Sequence, residues 1–310
     1  MTAHRLHQHI GSVRQLEILL TVYEQGSITG AARLLHLTQP SVSMQLAKLA
    51  DTVGLPLYYT HGKQLRFTEA GTLLVQTARD IFKCYEYAGL ALDGLKGLEQ
   101  GSLQLSVVTT AKYFIPHLIG DFCQQHPQVS MRFHVGNRQQ IIERTRADED
   151  DFYVFSHPPD NPDLELTEFL RNPLVAIAPQ DHPLAGKKNI SLKTLLNYPL
   201  LMREQGSGTR YTIERFFARH KLQPDIRMTI ESNEAIRHSV MAGLGIAILS
   251  EHTLRFGGQA GLVVLDIREL PIVSHWYLVR RKSRPLSPLA QRFMEFSRNL
   301  AETSLLAGLP

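Results

Sequence analysis

Residues 203–210 read REQGSGTR, and a helix-like run, YTIERFFARHKL, follows at once. Glycine, serine, threonine and arginine gathered before a helix suit the binding of an anion. Free backbone N–H groups and the positive end of the helix dipole attract negative charge. Arg210 adds a bidentate grip on phosphate or carboxylate. The run is not a nucleotide fingerprint, because Tyr211 stands where G-x-G-x-x-G needs its third glycine and no G-K-[ST] follows. No G-x-S-x-G elbow exposes a nucleophilic serine. The fourteen histidines fall into no compact ligand spacing, and His4, His7 and His9 read as decoration of the N-terminus. The acidic run Asp148–Asp151 lacks EF-hand spacing and reads as a solvated turn before a strand. The expectation is a binding protein rather than an enzyme, with no resident cofactor and no metal.

A seat for an anion needs elements to hold it. From about residue 101 the chain alternates strands and helices. Strand candidates are LQLSVV, SMRFHV, DFYVFS, PLVAIAP, IRMTI, GIAILS, LVVLDI and HWYLVRR. Helix candidates between and after them are IPHLIGDFCQQH, RQQIIERTRA, SLKTLL, YTIERFFARH, NEAIRHSVMAG and PLAQRFMEFSRNLA. Such alternation implies parallel sheets with right-handed crossovers. The strands are too many for one tidy sheet, so two Rossmann-like α/β lobes are expected within 98–310. Lobe I would take 101–171 plus 276–310 and lobe II 172–275, with crossings near Arg171–Leu174 and Ile272–Tyr277. Ligands in such folds sit beyond the carboxyl ends of strands, often between lobes. That places Thr109, Thr110, Lys112 and Asn137 opposite Arg203, Ser207, Thr209, Arg210 and Asn233 as the expected effector-binding set. Thr109 and Asn233 also read as simple helix caps, and Arg210 as one half of a surface salt bridge.

The first 67 residues read differently. Ser12 caps a helix over SVRQLEILLTVYEQG that Gly26 stops, with Val13, Leu16, Leu19, Leu20 and Tyr23 at helical spacing. Ser27 caps SITGAARLLHL. Thr38 caps a third helix, TQPSVSMQLAKLADTVG, with Pro40 in its first turn. Val42, Leu46, Leu49 and Val53 form its buried stripe, leaving Gln39, Ser41, Ser43, Gln45 and Lys48 outward. Two short strands around His61–Gly62–Lys63 read as a hairpin. Two short helices, a tight turn and a polar-faced third helix describe a helix-turn-helix with a wing. The alternative is a plain structural bundle.

Residues 68–97 carry no proline, and Leu74, Ile81, Ala88 and Leu95 recur by sevens. Heptad spacing predicts a linker helix of roughly 40 Å that packs along a partner helix, at about 1.5 Å per residue. The alternative is a helix packed on its own domain. Cys84 on that seam reads as a buried small packing residue, with a redox switch as the alternative. Two cysteines, Cys84 and Cys123, give no disulfide framework. The start has no apolar signal core, and no run approaches a membrane span, so a cytoplasmic protein is expected. Net charge is +4, with six Lys/Arg against three Asp/Glu in the first 66 residues. A polyanion partner would meet that end.

These residues carry a resemblance. SITGAARLLHLTQPSVSMQLAKL, LPLY and LRFTEAG strongly resemble the DNA-binding domain of LysR-type transcriptional regulators. The order of winged helix-turn-helix, linker helix and periplasmic-binding-protein-like effector domain covers essentially the whole chain. DEDDFYVFSHPPDNPDLEL, FLRNPLVAIAPQDHPLA, REQGSGTR and SNEAIRHSVMAGLGIAILS look like the CbbR-type activators of CO2-fixation (RuBisCO) operons and their inorganic-carbon relatives.

The resemblance implies DNA reading by Gln39, Pro40, Ser41, Ser43, Met44 and Gln45, with Lys63 in the wing. Many family members carry arginine where this chain has Met44 and Thr60. It further implies a reversible effector that is a phosphorylated sugar or acid, or NADPH. As partners it implies double-stranded DNA with an inverted repeat, a second copy of the chain in a dimer or dimer of dimers, and RNA polymerase; no membrane partner is expected. A LysR-type regulator of sulfur, nitrogen or aromatic-acid metabolism is the nearer alternative, and a solute-binding module the remoter one.

Overall fold

The computed structural model describes residues 10–62, 64–95 and 101–302. The chain divides into two compact units between Gly89 and Leu90, and each is described on its own.

The N-terminal unit opens with α1 (Val13–Gln25), α2 (Ile28–Leu34) and α3 (Gln39–Val53). Ser12, Ser27 and Thr38 cap them by accepting from backbone N–H groups of the first turn, which satisfies amides a helix leaves open. Leu16, Ile18, Leu19, Val22, Ala31, Ala32, Val42, Leu46 and Leu49 form one core. The hairpin β1 (Tyr58–His61) and β2 (Gln64–Phe67) pairs antiparallel, and Lys63 at its tip lies outside the described residues. α4 (Glu69–Leu95) follows. At its start Gly71 touches the hairpin base: a Cβ there would lie 1.9 Å from the Leu57 carbonyl oxygen, so only glycine admits that approach.

α4 corrects the heptad expectation at its first member. Leu74 is buried in this unit's own core beside Val75 and Ala78, and Ile81 packs against the same core. The helix leaves another apolar set outside: Leu73 is 70% exposed, Tyr85 61% and Leu92 57%. Ala88 is exposed too, and so is Cys84, which is not the buried packing residue expected; the Leu95 side chain lies outside the described residues. The reason is geometric: a helix that leaves a domain must first bury one stripe there, so Leu74 is unavailable to a partner.

The second unit is built on nine strands in order β4-β3-β5-β11-β6-β9-β7-β8, with β10 against β6. These are β3 (Gly101–Val108), β4 (Val129–Gly136), β5 (Phe152–Phe155), β6 (Leu164–Pro179), β7 (Leu200–Arg203), β8 (Ile226–Ile230), β9 (Ile246–Ser250), β10 (Leu262–Val264) and β11 (Ile272–Arg281). The sheet is mixed rather than parallel. β3 pairs parallel with β4 and β5, and β7 with β8 and β9, but β6 and β11 run antiparallel through the middle. Those two long strands belong to both lobes, from Leu164↔Arg281 to Leu174↔Ile272.

Lobe I packs α5 (Ile115–Gln125), α6 (Arg138–Ala147) and α11 (Pro288–Glu302) around Phe114, Phe122, Phe152, Trp276 and Phe293. Lobe II holds α7 (Leu192–Leu195), α8 (Gly208–Arg219), α9 (Asn233–Met241) and α10 (Glu251–Gly257), over two apolar clusters, one on each sheet face. Among the described residues no helix is long and apolar enough to cross a membrane.

The acidic run is not a solvated turn. Asp150 is 2% exposed and accepts from Arg144 Nε at 2.9 Å, Arg144 Nη2 at 2.8 Å and Ser106 Oγ at 2.7 Å. Arg284 reaches Asp151 at 2.7 Å. The run ties α6, β3 and the segment before α11 together, and buried carboxylates need such pairing.

The lobes also meet at an ion pair. Lys112 of lobe I and Glu234 of lobe II lie 2.8 Å apart. Desolvation pushes the Glu234 carboxyl up, but hydrogen bonds, that from Lys112 first among them, outweigh it and hold its pKa at about 2. A carboxyl depressed in this way stabilises the fold above its ordinary value of 4.5, and that contribution is lost as pH falls from 4.5 towards 2. Glu234→Gln is therefore expected to lower stability near neutral pH by about 1 kcal/mol or less, since the pair is partly exposed. Urea unfolding of both proteins across that range should show the difference closing as pH falls. A difference that stays constant removes the pair from the account.

Candidate functional site

The carboxyl ends of β3, β5 and β7 meet where the lobes face each other. Thr109 and Thr110 follow β3, Ser156 and His157 follow β5, and Arg203 ends β7. α8 then starts at Gly208, and its N-terminus comes close to lobe I. A Cβ on Gly208 would lie 2.8 Å from Ser156 Oγ, so the glycine permits the approach. Ser207 precedes α8 but makes no side-chain cap bond to it. Ser207, Gly208 and Thr209 at the start of α8 line the gap between the lobes, with the positive end of the helix dipole behind them.

Arg203 is the centre of this arrangement. It is 2% exposed, and all five of its N–H donors have acceptors. Nη1 donates to Asn233 Oδ1 at 2.7 Å and Thr110 Oγ1 at 3.3 Å. Nη2 donates to Thr109 Oγ1 at 3.2 Å and Glu204 Oε1 at 2.9 Å. Nε donates to Glu204 Oε2 at 2.7 Å. Two acceptors come from lobe I and two residues from lobe II. Asn233 closes the circuit by donating from Nδ2 to Thr110 Oγ1 at 3.2 Å.

Two cavities flank this knot. The inner one has a volume of only about 10 Å³ and is lined by Thr109, Thr110, Arg138, Ser156, Arg203 and Ser207 among others. That is room for one water at most. The outer one, about 650 Å³, is lined by Thr109, Asn137, Arg138, Gln139, Gln140, Glu204 and Gln205 among others. Arg138 borders both. Its Nε donates to the His157 carbonyl at 3.1 Å, and burial pushes its guanidinium below the ordinary value. A desolvated cation of this kind is relieved by an anion beside it. Burial, followed by the charges of Arg138 and Arg215, also lowers His157, which keeps its ring neutral at pH 7.

The expected residues divide accordingly. Thr109, Thr110, Arg203, Ser207 and Thr209 line the inner cavity, and Asn233 joins them through Arg203. Asn233 is not a helix cap: Ser232 caps α9, which frees the Asn233 amide. Three residues are used elsewhere. Arg210 is 8% exposed and pairs with Glu214 at 2.6 Å, while Nη1 donates to the Arg203 carbonyl at 2.9 Å. It braces the end of β7 from behind instead of facing the cleft. Lys112 is paired with Glu234. Asn137 caps α6, accepting from the Gln140 N–H at 2.9 Å, and contributes to the outer cavity only as a wall. Sequence reasoning missed Arg138, Ser156, His157 and Glu204. Arg138 carried a signal: a cation in the first turn of a helix opposes the helix dipole and needs a reason to be there.

In the N-terminal unit, α3 presents Gln39, Pro40 and Met44 to solvent, with Ser41, Ser43 and Gln45 half-buried beside them. Met44 is 61% exposed. Thr38 Oγ1 and Ser41 Oγ lie 2.8 Å apart at the start of the helix. A short, polar, amide-rich face on the third helix of such a cluster suits base edges and phosphates.

Comparison with known proteins shows the family to which the two units belong. Residues 13–72 match the family described as bacterial regulatory helix-turn-helix protein, lysR family, and residues 96–302 match the LysR substrate binding domain. The chain is 44% identical over 286 residues to the HTH-type transcriptional activator CmpR of Synechocystis sp. (strain ATCC 27184 / PCC 6803 / Kazusa), covering 92% of this chain and 94% of that one. It is 40% identical over 286 residues to the RuBisCO operon transcriptional regulator of Acidithiobacillus ferrooxidans, covering 92% and 93%. Among solved structures, the Synechocystis PCC6803 CcmR regulatory domain in complex with 2-PG is 42% identical with a TM-score of 0.62, over 66% of this chain and 99% of that one. From its N-terminal helices to its second lobe, the chain belongs to the LysR family of bacterial helix-turn-helix transcriptional regulators.

Proposed function

We propose that the chain regulates genes of inorganic-carbon uptake or CO2 fixation, and that it senses a small phosphorylated acid between its lobes. The observation that carries the reading is the meeting of a desolvated arginine, Arg138, with the open N-terminus of α8 at the cleft between the lobes. Two threonines and a serine beside them supply hydroxyl donors to an anion. The relatives named above support the choice of pathway, and the solved relative with 2-PG supports the choice of ligand class.

The inner gap is too small for a phosphate, so binding requires the lobes or the Arg203 network to rearrange. An anion shifts that equilibrium by the difference between its affinities for the two arrangements. DNA is read by α3, with Gln39, Pro40, Ser41, Ser43, Met44 and Gln45 at the bases or phosphates. The protein acts as at least a dimer, because a two-fold assembly matches an inverted repeat. Tyr85 and Leu92, seven residues apart and exposed on α4, supply an apolar face for pairing in the cytoplasm. Contact with RNA polymerase belongs to the same reading for an activator.

A thermal-shift panel tests the ligand. 2-Phosphoglycolate at a hundred times its Kd should stabilise the protein by about 2.7 kcal/mol, and Arg138→Ala should need roughly ten-fold more ligand for the same shift. Stabilisation by non-phosphorylated acids alone would contradict the phosphate assignment. The DNA face is tested by Met44→Arg. One added cation per protomer at a phosphate should steepen the log-log salt dependence of operator binding by about 0.9 for each protomer on the site, about 1.8 for a dimer, read by fluorescence anisotropy. An unchanged slope would take Met44 off the DNA.

A further inference from the structure

The geometry points to Glu204 as an internal competitor that sets the affinity of the cleft for every anion. This rests on the reading of the cleft as an anion site. Arg203 is the strongest anion receptor there: planar, buried and able to offer two parallel N–H bonds. In this structure that bidentate face is taken by the neighbouring carboxylate, Oε2 to Nε at 2.7 Å and Oε1 to Nη2 at 2.9 Å. The other donors are held by Thr109, Thr110 and Asn233. No N–H of Arg203 is left over, so an anion reaches it only by displacing an acceptor.

Glu204 is the acceptor built to leave. Its side chain is 19% exposed, whereas Thr110 and Asn233 are 5% and 3% exposed. It lines both the inner gap and the 650 Å³ outer cavity, so it has somewhere to go. Gln139, Gln140 and Gln205 on the outer wall offer amide donors to a carboxylate that swings outward. The charged groups around the swing are Arg138, which borders both cavities, and Glu231, which lines the outer one. Arg210 lies behind Arg203, already paired with Glu214. Substituting one carboxylate for an incoming phosphate keeps the buried guanidinium compensated throughout, which a threonine or an amide leaving could not do.

An internal competitor has a signature that distinguishes it from a ligand contact. Apparent affinity is the intrinsic affinity multiplied by the fraction of molecules in which Glu204 is off Arg203. That fraction is a property of the protein, so its effect is the same for every anion. A residue that touches the ligand would instead act differently on each one.

The test is calorimetric titration of wild type and Glu204→Gln with inorganic phosphate, sulfate and 2-phosphoglycolate. Glutamine keeps the shape and one carbonyl acceptor but removes the charge. The expected result is a tighter Kd for all three anions, by a common factor of about ten if the free fraction is near one tenth. Unchanged or weaker binding in the variant, with wild type binding normally, overturns the competitor while leaving the anion site intact. Wild type that binds none of the three overturns the reading beneath it and the competitor with it. A structure of the wild-type protein with inorganic phosphate gives a second check that does not depend on the variant folding. Glu204 should stand off Arg203 in the outer cavity, and a Glu204–Arg203 bidentate pair that persists beside bound phosphate contradicts the proposal.

Discussion

A guanidinium that is 2% exposed must have its charge compensated and its donors satisfied. Arg203 meets that demand by drawing acceptors from two lobes at once. The rest of the cleft follows from it. β7 must end where β3 ends, Asn233 must be released from capping duty by Ser232, and α8 must start close enough to Ser156 that residue 208 is glycine. Arg210 holds the Arg203 carbonyl from the other side, so the strand end is fixed at both its backbone and its side chain.

On the proposed reading the same constraint makes the cleft bistable. A buried network whose donors are all used has no partial version: exchanging one acceptor for a ligand oxygen changes which lobe residues stay tied together. Arg138 stands just outside the network with its charge poorly solvated, and offers an incoming anion its first partner. On the proposed reading the anion is attracted first by Arg138 and the α8 N-terminus and then transferred to Arg203. On the same reading, movement of Thr109 and Thr110 relative to Asn233 would convert binding into lobe geometry.

Local signals were readable and long-range ones were not. The helix-turn-helix was legible because its caps Ser12, Ser27 and Thr38 and its stop Gly26 act within a few residues. β7 escaped notice because LLMR is four buried residues without alternation. β6 looked half its length, because LELTEFLR alternates on a lobe surface whereas PLVAIAP is continuous core. Arg203 and Arg210 were both placed in the site, since spacing along a strand end and a helix start does not say which guanidinium faces the cleft. The acidic run looked solvated because Arg284, its partner, lies more than 130 residues away. Leu74 fitted a heptad, yet a heptad does not say whether its first residue is claimed by the domain the helix leaves.

The central claim is that anion binding at Arg203 is coupled to the relation between the lobes. It is tested most directly by a distance measurement across them. Spin labels at Gln124 on lobe I and Lys193 on lobe II, both exposed, in a protein with Cys84 and Cys123 replaced, report that relation by pulsed dipolar spectroscopy. Titration with 2-phosphoglycolate should shift the distance distribution saturably, with the midpoint at the calorimetric Kd. A distribution that stays the same with the site saturated would contradict the account, because the anion would then occupy the cleft without altering what the Arg203 network holds together.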